Sequence, residues 1–256
     1  MADHASPGST DDATLAADLA TKAGELLLAL RVEMAGADPK DLRHAGDNRS
    51  QALLAQLLAE SRPDDAVLSE EAEDDRVRLQ ADRVWIIDPL DGTREYGEPP
   101  RDDWAVHVAL WERGSGLTKG AVALPAQGRT LATGSTLPTR GPAPSRPRLV
   151  VSRTRAPEFV TAVAERLDGE LVPMGSAGAK AMAIVQGLAD VYVHAGAMHE
   201  WDTAAPAVVA AAAGLHVCRF DGSPLDFNTQ DALTTELVIC LPELADRVLE
   251  AVSAQL

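Results

Sequence analysis

The fold class this sequence predicts is an α+β half followed by an α/β half, on three observations. Between residues 103 and 133, short apolar stretches alternate at period two with no helical pattern between them, as in an antiparallel meander. Residues 134–147 carry four prolines and two glycines, a composition suited to a linker. Beyond it, strand-like and helical runs take turns to the end of the chain, an α/β pattern. The halves are thereby drawn as residues 1–140 and 145–256, with the site at their junction.

Residues 1–9 mix Pro, Gly and Ser and predict disorder. A helix follows, capped by Thr10, Asp11 or Asp12, with Leu15, Leu19, Ala23, Leu26, Leu27 and Leu30 as its apolar stripe. A polar loop is expected over residues 36–46. A second helix at 48–61 turns Leu53, Leu54, Leu57 and Leu58 inward and stops before Pro63. Val67-Leu68 reads as a short strand that runs into the acidic stretch at 69–75. Strands are expected at 84–88, 103–111, 120–124 and 130–133, with the N-terminal helices covering the meander. In the second half, strands are expected at 148–151, 171–173, 189–193, 215–219 and 237–240, and helices at 157–167, 179–187, 204–213 and 242–252.

With 256 residues, 46% of them hydrophobic and 24% charged, the chain can bury a large core. A formal net charge of −16 argues against nucleic acid polymers and anionic membranes, which bind basic faces. Cys218 and Cys240 sit in apolar runs outside any metal or redox motif, as buried thiols in a reducing compartment would. The N-terminus lacks the pattern of a secretory signal, and no run is long enough to span a membrane. A soluble, cytoplasmic protein is expected.

The stretch Val84-Trp85-Ile86-Ile87-Asp88-Pro89-Leu90-Asp91-Gly92-Thr93 carries the chemistry. Pro89 should end the strand, leaving the Asp88 carboxylate at the sheet's edge and Asp91 in the turn. Carboxylates brought together repel unless a proton or cation lies between them. Gly92 permits close approach of the backbone, so the amides of Gly92 and Thr93 favour an anion at the same place. Oxygen-ligated cations beside a phosphate satisfy both demands. A plain turn would also use Asp-Pro and Asp-Gly, and the order Asp-Gly-Thr is not that of an aspartic protease. Glu70 and Glu71 leave their strand as Asp88 leaves its own, so neighbouring strands would bring them together. His107, inside a strand, reads as a structural histidine. Gly175-Ser176-Ala177-Gly178 opens a helix but matches neither nucleotide-binding glycine motif. Asp202 precedes an apolar helix, where an N-cap would also place an acid.

Taken together, Leu68-Ser69-Glu70-Glu71, the stretch from Trp85 to Thr93, Gly175-Ser176-Ala177 and Trp201-Asp202-Thr203-Ala204-Ala205 resemble, in order and spacing, the inositol monophosphatase-like family of Mg²⁺-dependent, lithium-sensitive phosphatases. The resemblance is closest to its CysQ branch of bisphosphate nucleotidases. It implies a layered αβαβα sandwich, often a homodimer, that hydrolyses a small phosphate ester. It also implies two or three Mg²⁺ per site: one on Glu70, Asp88 and the Leu90 carbonyl, a second on Asp88, Asp91 and Asp202. Thr93 would position the attacking water, while Gly92, Thr93, Gly175, Ser176 and Ala177 would contact phosphate and substrate. Asp47 matches a further acid of the family, although the usual lead-in to it is missing.

A substrate with two phosphates needs a second anion site. The arginine-rich segment 146–155 supplies the candidates Ser152 and Arg153, with Lys180 beside them. The substrate that the CysQ branch implies is 3′-phosphoadenosine 5′-phosphate. Rival readings are an inositol or sugar-bisphosphate phosphatase, and a catalytically silent metal- or phosphate-binding regulator. The latter would have no reason to retain Glu70, Asp88, Asp91, Thr93 and Asp202 together.

Overall fold

The structure is a computed structural model that describes residues 10–74, 76–138, 141–154 and 156–256. Residues 1–9, expected to be disordered, together with Asp75 of the acidic run and Arg155 of the arginine-rich segment, lie outside the described residues. Helix α1 (Asp12–Glu33) begins at Asp11, whose carboxylate accepts the amides of Ala13 and Thr14. Helix α2 covers Pro39–Ser61, so the loop expected over 36–46 is mostly helix. Its first turns are polar because they face solvent, and only Leu42 and Gly46 are buried there. The start is nevertheless written in Asp38-Pro39, an N-cap followed by a proline at the first helical position.

The first sheet has the order β1 (Ala66–Ser69), β2 (Arg83–Asp91), β3 (Ala105–Glu112), β4 (Gly116–Leu124) and β5 (Arg129–Ala132). The β1 and β2 strands run parallel, and the rest of the sheet is antiparallel. Pro89 does not end β2. The strand continues to Asp91 through a register shift between Asp88 and Asp91, a bulge that accommodates the missing proline N–H. The short helix α3 (Thr93–Tyr96) follows directly.

In the second half, β6 (Arg148–Ser152), α4 (Glu158–Arg166), β7 (Glu170–Met174), α5 (Ala177–Val185), β8 (Val191–His199), α6 (Glu200–Ala212), β9 (His216–Cys218), β10 (Leu233–Cys240) and α7 (Ala245–Ser253) build a sheet of order β7-β6-β8-β10-β9. Asp202 lies within the first turn of α6, not ahead of the helix.

Five layers result. Helices α1 and α2 cover the outer face of the first sheet, α5 and α6 fill the space between the sheets, and α4 packs with α7 beyond the second. One core joins α1 and α2 to the first sheet through Leu19, Leu27, Leu54, Trp85 and Trp104. The other lies around α5, α6 and the second sheet, including Met182, Ile184, Val209 and Ile239. This is the αβαβα sandwich. Both cysteines are free and buried, and burial pushes their thiols up to about 11 and about 12. Among the described residues no helix is long and apolar enough to cross a membrane.

Candidate active site

Parallel pairing of β1 with β2 sets Ser69 opposite Ile87, so the next residues, Glu70 and Asp88, emerge side by side. The bulge then swings Asp91 to the same place, and the first turn of α6 brings Asp202 from the other half of the chain. One carboxylate oxygen each from Asp88, Asp91 and Asp202 lie within 4.8 Å of one another. Asp88 is 1% exposed. Its Oδ1 accepts the Leu90 amide at 2.9 Å, whereas Oδ2 accepts no hydrogen bond and lies 3.9 Å from His107 Nδ1. Converging buried carboxylate oxygens of this kind suit a hard cation.

The electrostatics agree. Burial, then the Glu70, Asp91 and Asp202 charges, drive Asp88 well above the usual carboxylate range. Glu70 keeps an open flank to solvent, yet desolvation of its carboxyl, then Asp202 and Glu71, push it up to about 7. Desolvation and Asp91 raise Asp202 to about 6. Asp91 goes the other way. Burial opposes its ionisation, but His107, the Ser176 hydroxyl and the Gly178 amide together hold it at about 2.

Asp47, half-buried in α2, is raised to about 6 by desolvation and Glu71. The Thr93 hydroxyl lies 3.4 Å from Asp47 Oδ1 and 3.1 Å from the Leu90 carbonyl oxygen. The Thr93 hydroxyl thus stands between Asp47 and the Leu90 carbonyl. Buried Ser50 donates to the Pro89 carbonyl at 2.7 Å, pinning the bulge to α2.

The resemblance implies that Gly175, Ser176 and Ala177 contact phosphate and substrate. In the structure the donors of this turn and of Gly178 are held by carboxylates: Gly175 N on Asp103 at 2.6 Å, Ser176 Oγ and Gly178 N on Asp91 Oδ2 at 2.5 and 2.7 Å, and Ala177 N on Asp91 Oδ1 at 3.2 Å. The two glycines are dictated by close approach. A Cβ at Gly175 would lie 2.3 Å from the Glu95 side chain, and one at Gly178 would lie 2.0 Å from His107 Nε2.

A cavity of about 310 Å³ opens from Asp91 and Asp202 and is walled by Ser152, Ser176, Ala177, Lys180, Tyr192 and His194. The Lys180 amine lies over the Tyr192 ring, 5.3 Å from its centroid. His194 Nε2 is buried without a partner. Ser152 and Lys180, two of the three candidates for a second anion site, line this cavity, whereas the Arg153 guanidinium is engaged by carboxylates. Its Nε donates to Glu95 at 2.5 Å and its Nη2 to Glu98 at 2.7 Å. A larger cleft of about 450 Å³ lies by the linker. Its wall residue Arg148 is neutralised by Asp190, and it is remote from the acids in sequence and layer.

His107 and Glu200 were not legible as parts of this site. His107 pairs with Asp88 across β2 and β3, places Nε2 3.1 Å from Asp91 Oδ2 and Nδ1 2.9 Å from the Trp201 carbonyl oxygen. Glu200, fully buried, accepts the amides of Asn228 and Thr229 at 2.7 and 2.8 Å. Buried Arg78 clamps the same loop through Asn228 Oδ1 at 2.8 Å and the Thr229 carbonyl at 2.9 Å. Only the strand register and the path of that loop bring these residues in, and neither leaves a local sequence signal.

The inositol monophosphatase family model matches residues 10–256. The chain is 51% identical over 245 residues to a 3′-phosphoadenosine 5′-phosphate phosphatase of Mycobacterium leprae, covering 91% of this chain and 90% of that protein. It is 30% identical over 201 residues to the 3′(2′),5′-bisphosphate nucleotidase CysQ of Escherichia coli K12, covering 73% and 80%. Among solved structures, Mycobacterium tuberculosis SuhB superposes with a TM-score of 0.72 at 24% identity, over 95% of this chain and 96% of that one. With the family match spanning the fold and all five site acids, the chain belongs to the inositol monophosphatase family.

Proposed function

We propose that this protein removes the 3′-phosphate of 3′-phosphoadenosine 5′-phosphate, using divalent cations, Mg²⁺ in our reading, held by Glu70, Asp88, Asp91 and Asp202 with the Leu90 carbonyl. The observation that carries the proposal is the convergence of Asp88, Asp91 and Asp202, with the buried Asp88 Oδ2 accepting no hydrogen bond. Asp91 and Asp202 open onto a cavity that Lys180 also lines. The substrate is taken from the name borne by the relatives at 50% identity and above.

When bound, the cations supply charge neutralisation and Lewis acidity toward the phosphate being cleaved. The chain supplies the rest. The Thr93 hydroxyl, braced against Asp47, orients the attacking water, and Asp47, raised to about 6, is suited to accept its proton near neutral pH. Gly92, at φ +83°, turns the backbone so that Thr93 begins α3 directly over the acids. Lys180 and His194, with Ser152, face the non-reacting 5′-phosphate. Arg153 orients Glu95 and the turn beside it rather than touching that phosphate. No covalent intermediate is needed in this reading, since the attacking group is the water that Thr93 orients.

Steady-state kinetics on 3′-phosphoadenosine 5′-phosphate, adenosine 5′-monophosphate and inositol 1-phosphate test the proposal. The bisphosphate is expected to have the highest kcat/KM by about tenfold or more, one charge-assisted contact's worth. Equal or better turnover of inositol 1-phosphate would sink it.

A further inference from the structure

His107 lies beneath the acidic cluster and does not line the cavity, yet it touches both halves of the site. Its ring is fully buried on β3, opposite Asp88. Nδ1 is 2.9 Å from the Trp201 carbonyl oxygen. A carbonyl oxygen only accepts, so Nδ1 is the donor, and this contact fixes the ring's orientation. Nε2 lies 3.1 Å from Asp91 Oδ2, within ion-pair distance although outside hydrogen-bond geometry, and Nδ1 also lies 3.9 Å from Asp88 Oδ2. Gly178 leaves the space for the ring, since a Cβ there would stand 2.0 Å from Nε2.

Asp91 ends a strand of the first sheet, and Asp202 follows Trp201 by one residue in the first turn of α6. We infer that His107 is a positioning residue, a strut between the Asp91 carboxylate and the Trp201 backbone that sets Asp91 and Asp202 at one mutual distance for a shared cation. The inference rests on the reading that these acids hold cations. A small cation such as Mg²⁺ tolerates little error in ligand placement, so a strut behind two ligands acts on affinity. Partners that orient metal ligands change metal affinity by about 10- to 100-fold when removed. Ser176 and Gly178 also hold Asp91, but from α5. Among the described residues' polar contacts to the Asp91 carboxylate, the imidazole is the one that also reaches α6.

Three variants separate the ends of the strut. His107→Leu fills the space with no polar atom, His107→Asn keeps a donor toward Trp201, and His107→Gln keeps one toward Asp91. Mg²⁺ alone is titrated into each metal-free full-length protein by calorimetry, after circular dichroism confirms folding. The expected result is Mg²⁺ binding weaker by about tenfold or more in His107→Leu, and by roughly threefold or more in both amides. In activity assays the Mg²⁺ concentration for half-maximal rate should rise in step, while substrate KM at saturating Mg²⁺ stays within about twofold, a split that loss of general stability would not produce. Wild-type affinity in His107→Leu overturns the inference. If that variant does not fold, wild-type affinity in either amide variant overturns it. A wild-type protein that takes up no Mg²⁺ overturns the cation reading itself, and the strut with it.

Discussion

Asp88 is the residue on which the electrostatic argument turns, because its ionised form is disfavoured by burial and by three neighbouring acids. Asp88→Asn should remove that penalty in the metal-free chain and leave a folded protein with an equal or higher melting temperature. It should also lower kcat by about a thousandfold or more, the rate equivalent of about 4 kcal/mol of charge stabilisation. Turnover at the wild-type rate in that variant would contradict a cation-dependent site. The second residue-scale expectation divides the basic groups. Lys180→Met should raise KM for the bisphosphate by roughly 10- to 100-fold, the loss of one hydrogen bond to a charged group. Arg153→Ala should change KM much less, since its guanidinium is already matched by Glu95 and Glu98. A larger effect at Arg153 would return the second anion site to the arginine-rich segment. Glu70, Asp88, Asp91 and Asp202 were legible because each is an acid set against an apolar run, a placement with few structural uses. The Arg153 ion pairs were not legible because Glu95 and Glu98 lie more than fifty positions away, and an arginine carries no local sign of what neutralises it.

Elements were legible where a local cue fixed both ends. Helix α1 follows its leucine stripe and its Asp11 cap, and the meander follows its period-two pattern. Helix α2 was cut short because its first turns bury little, so hydrophobic period alone could not show them. The cap at Asp38 with Pro39 was the better signal. Strand β2 runs past Pro89 for the opposite reason: a proline marks a strand end in sequence, but a bulge absorbs it here. The bulge is what turns Asp88 and Asp91 toward one point. At this scale the Arg78 clamp carries a prediction. Arg78 is 1% exposed and binds Asp74, Asn228 and Thr229, so Arg78→Met would leave Asp74 with only the Arg76 amide among the described residues and the Asn228 and Thr229 acceptors without their buried donor. A loss of about 3 kcal/mol is expected, a fall in melting temperature of roughly 6–12 °C for a chain of this size. A melting temperature within about 2 °C of wild type would show that the loop holding Glu200 stands without its arginine.

For the molecule as a whole, the site makes stability depend on pH and on cations together. Glu70, Asp47 and Asp202 have folded pKa values of about 7, about 6 and about 6, above those of unfolded carboxylates near 4. Between roughly pH 4 and 7 the folded chain therefore holds protons that the unfolded chain has released, and stability falls as pH rises. His107, whose pKa is raised through Asp91 against the opposing effect of burial, adds to the same trend: its stabilisation is present at low pH and lost as pH rises through its folded value. Asp91, held near 2, contributes stability above about pH 4 that is lost only as pH falls toward 2. Melting curves in EDTA should thus show a lower midpoint at pH 8 than at pH 5.5, and the gain on adding Mg²⁺ should be larger at pH 8. A gain that shrinks with pH would contradict the assigned ligands. The five-layer fold places that cluster where sheet one meets the α5 and α6 layer, so ligands from both halves converge only once the chain has folded. The measurement that bears most directly on the whole account is ³¹P NMR of products formed from 3′-phosphoadenosine 5′-phosphate, with Mg²⁺ and with excess EDTA. The account predicts adenosine 5′-monophosphate and inorganic phosphate in Mg²⁺ and no reaction in EDTA; release of the 5′-phosphate, or equal hydrolysis in EDTA, would contradict it.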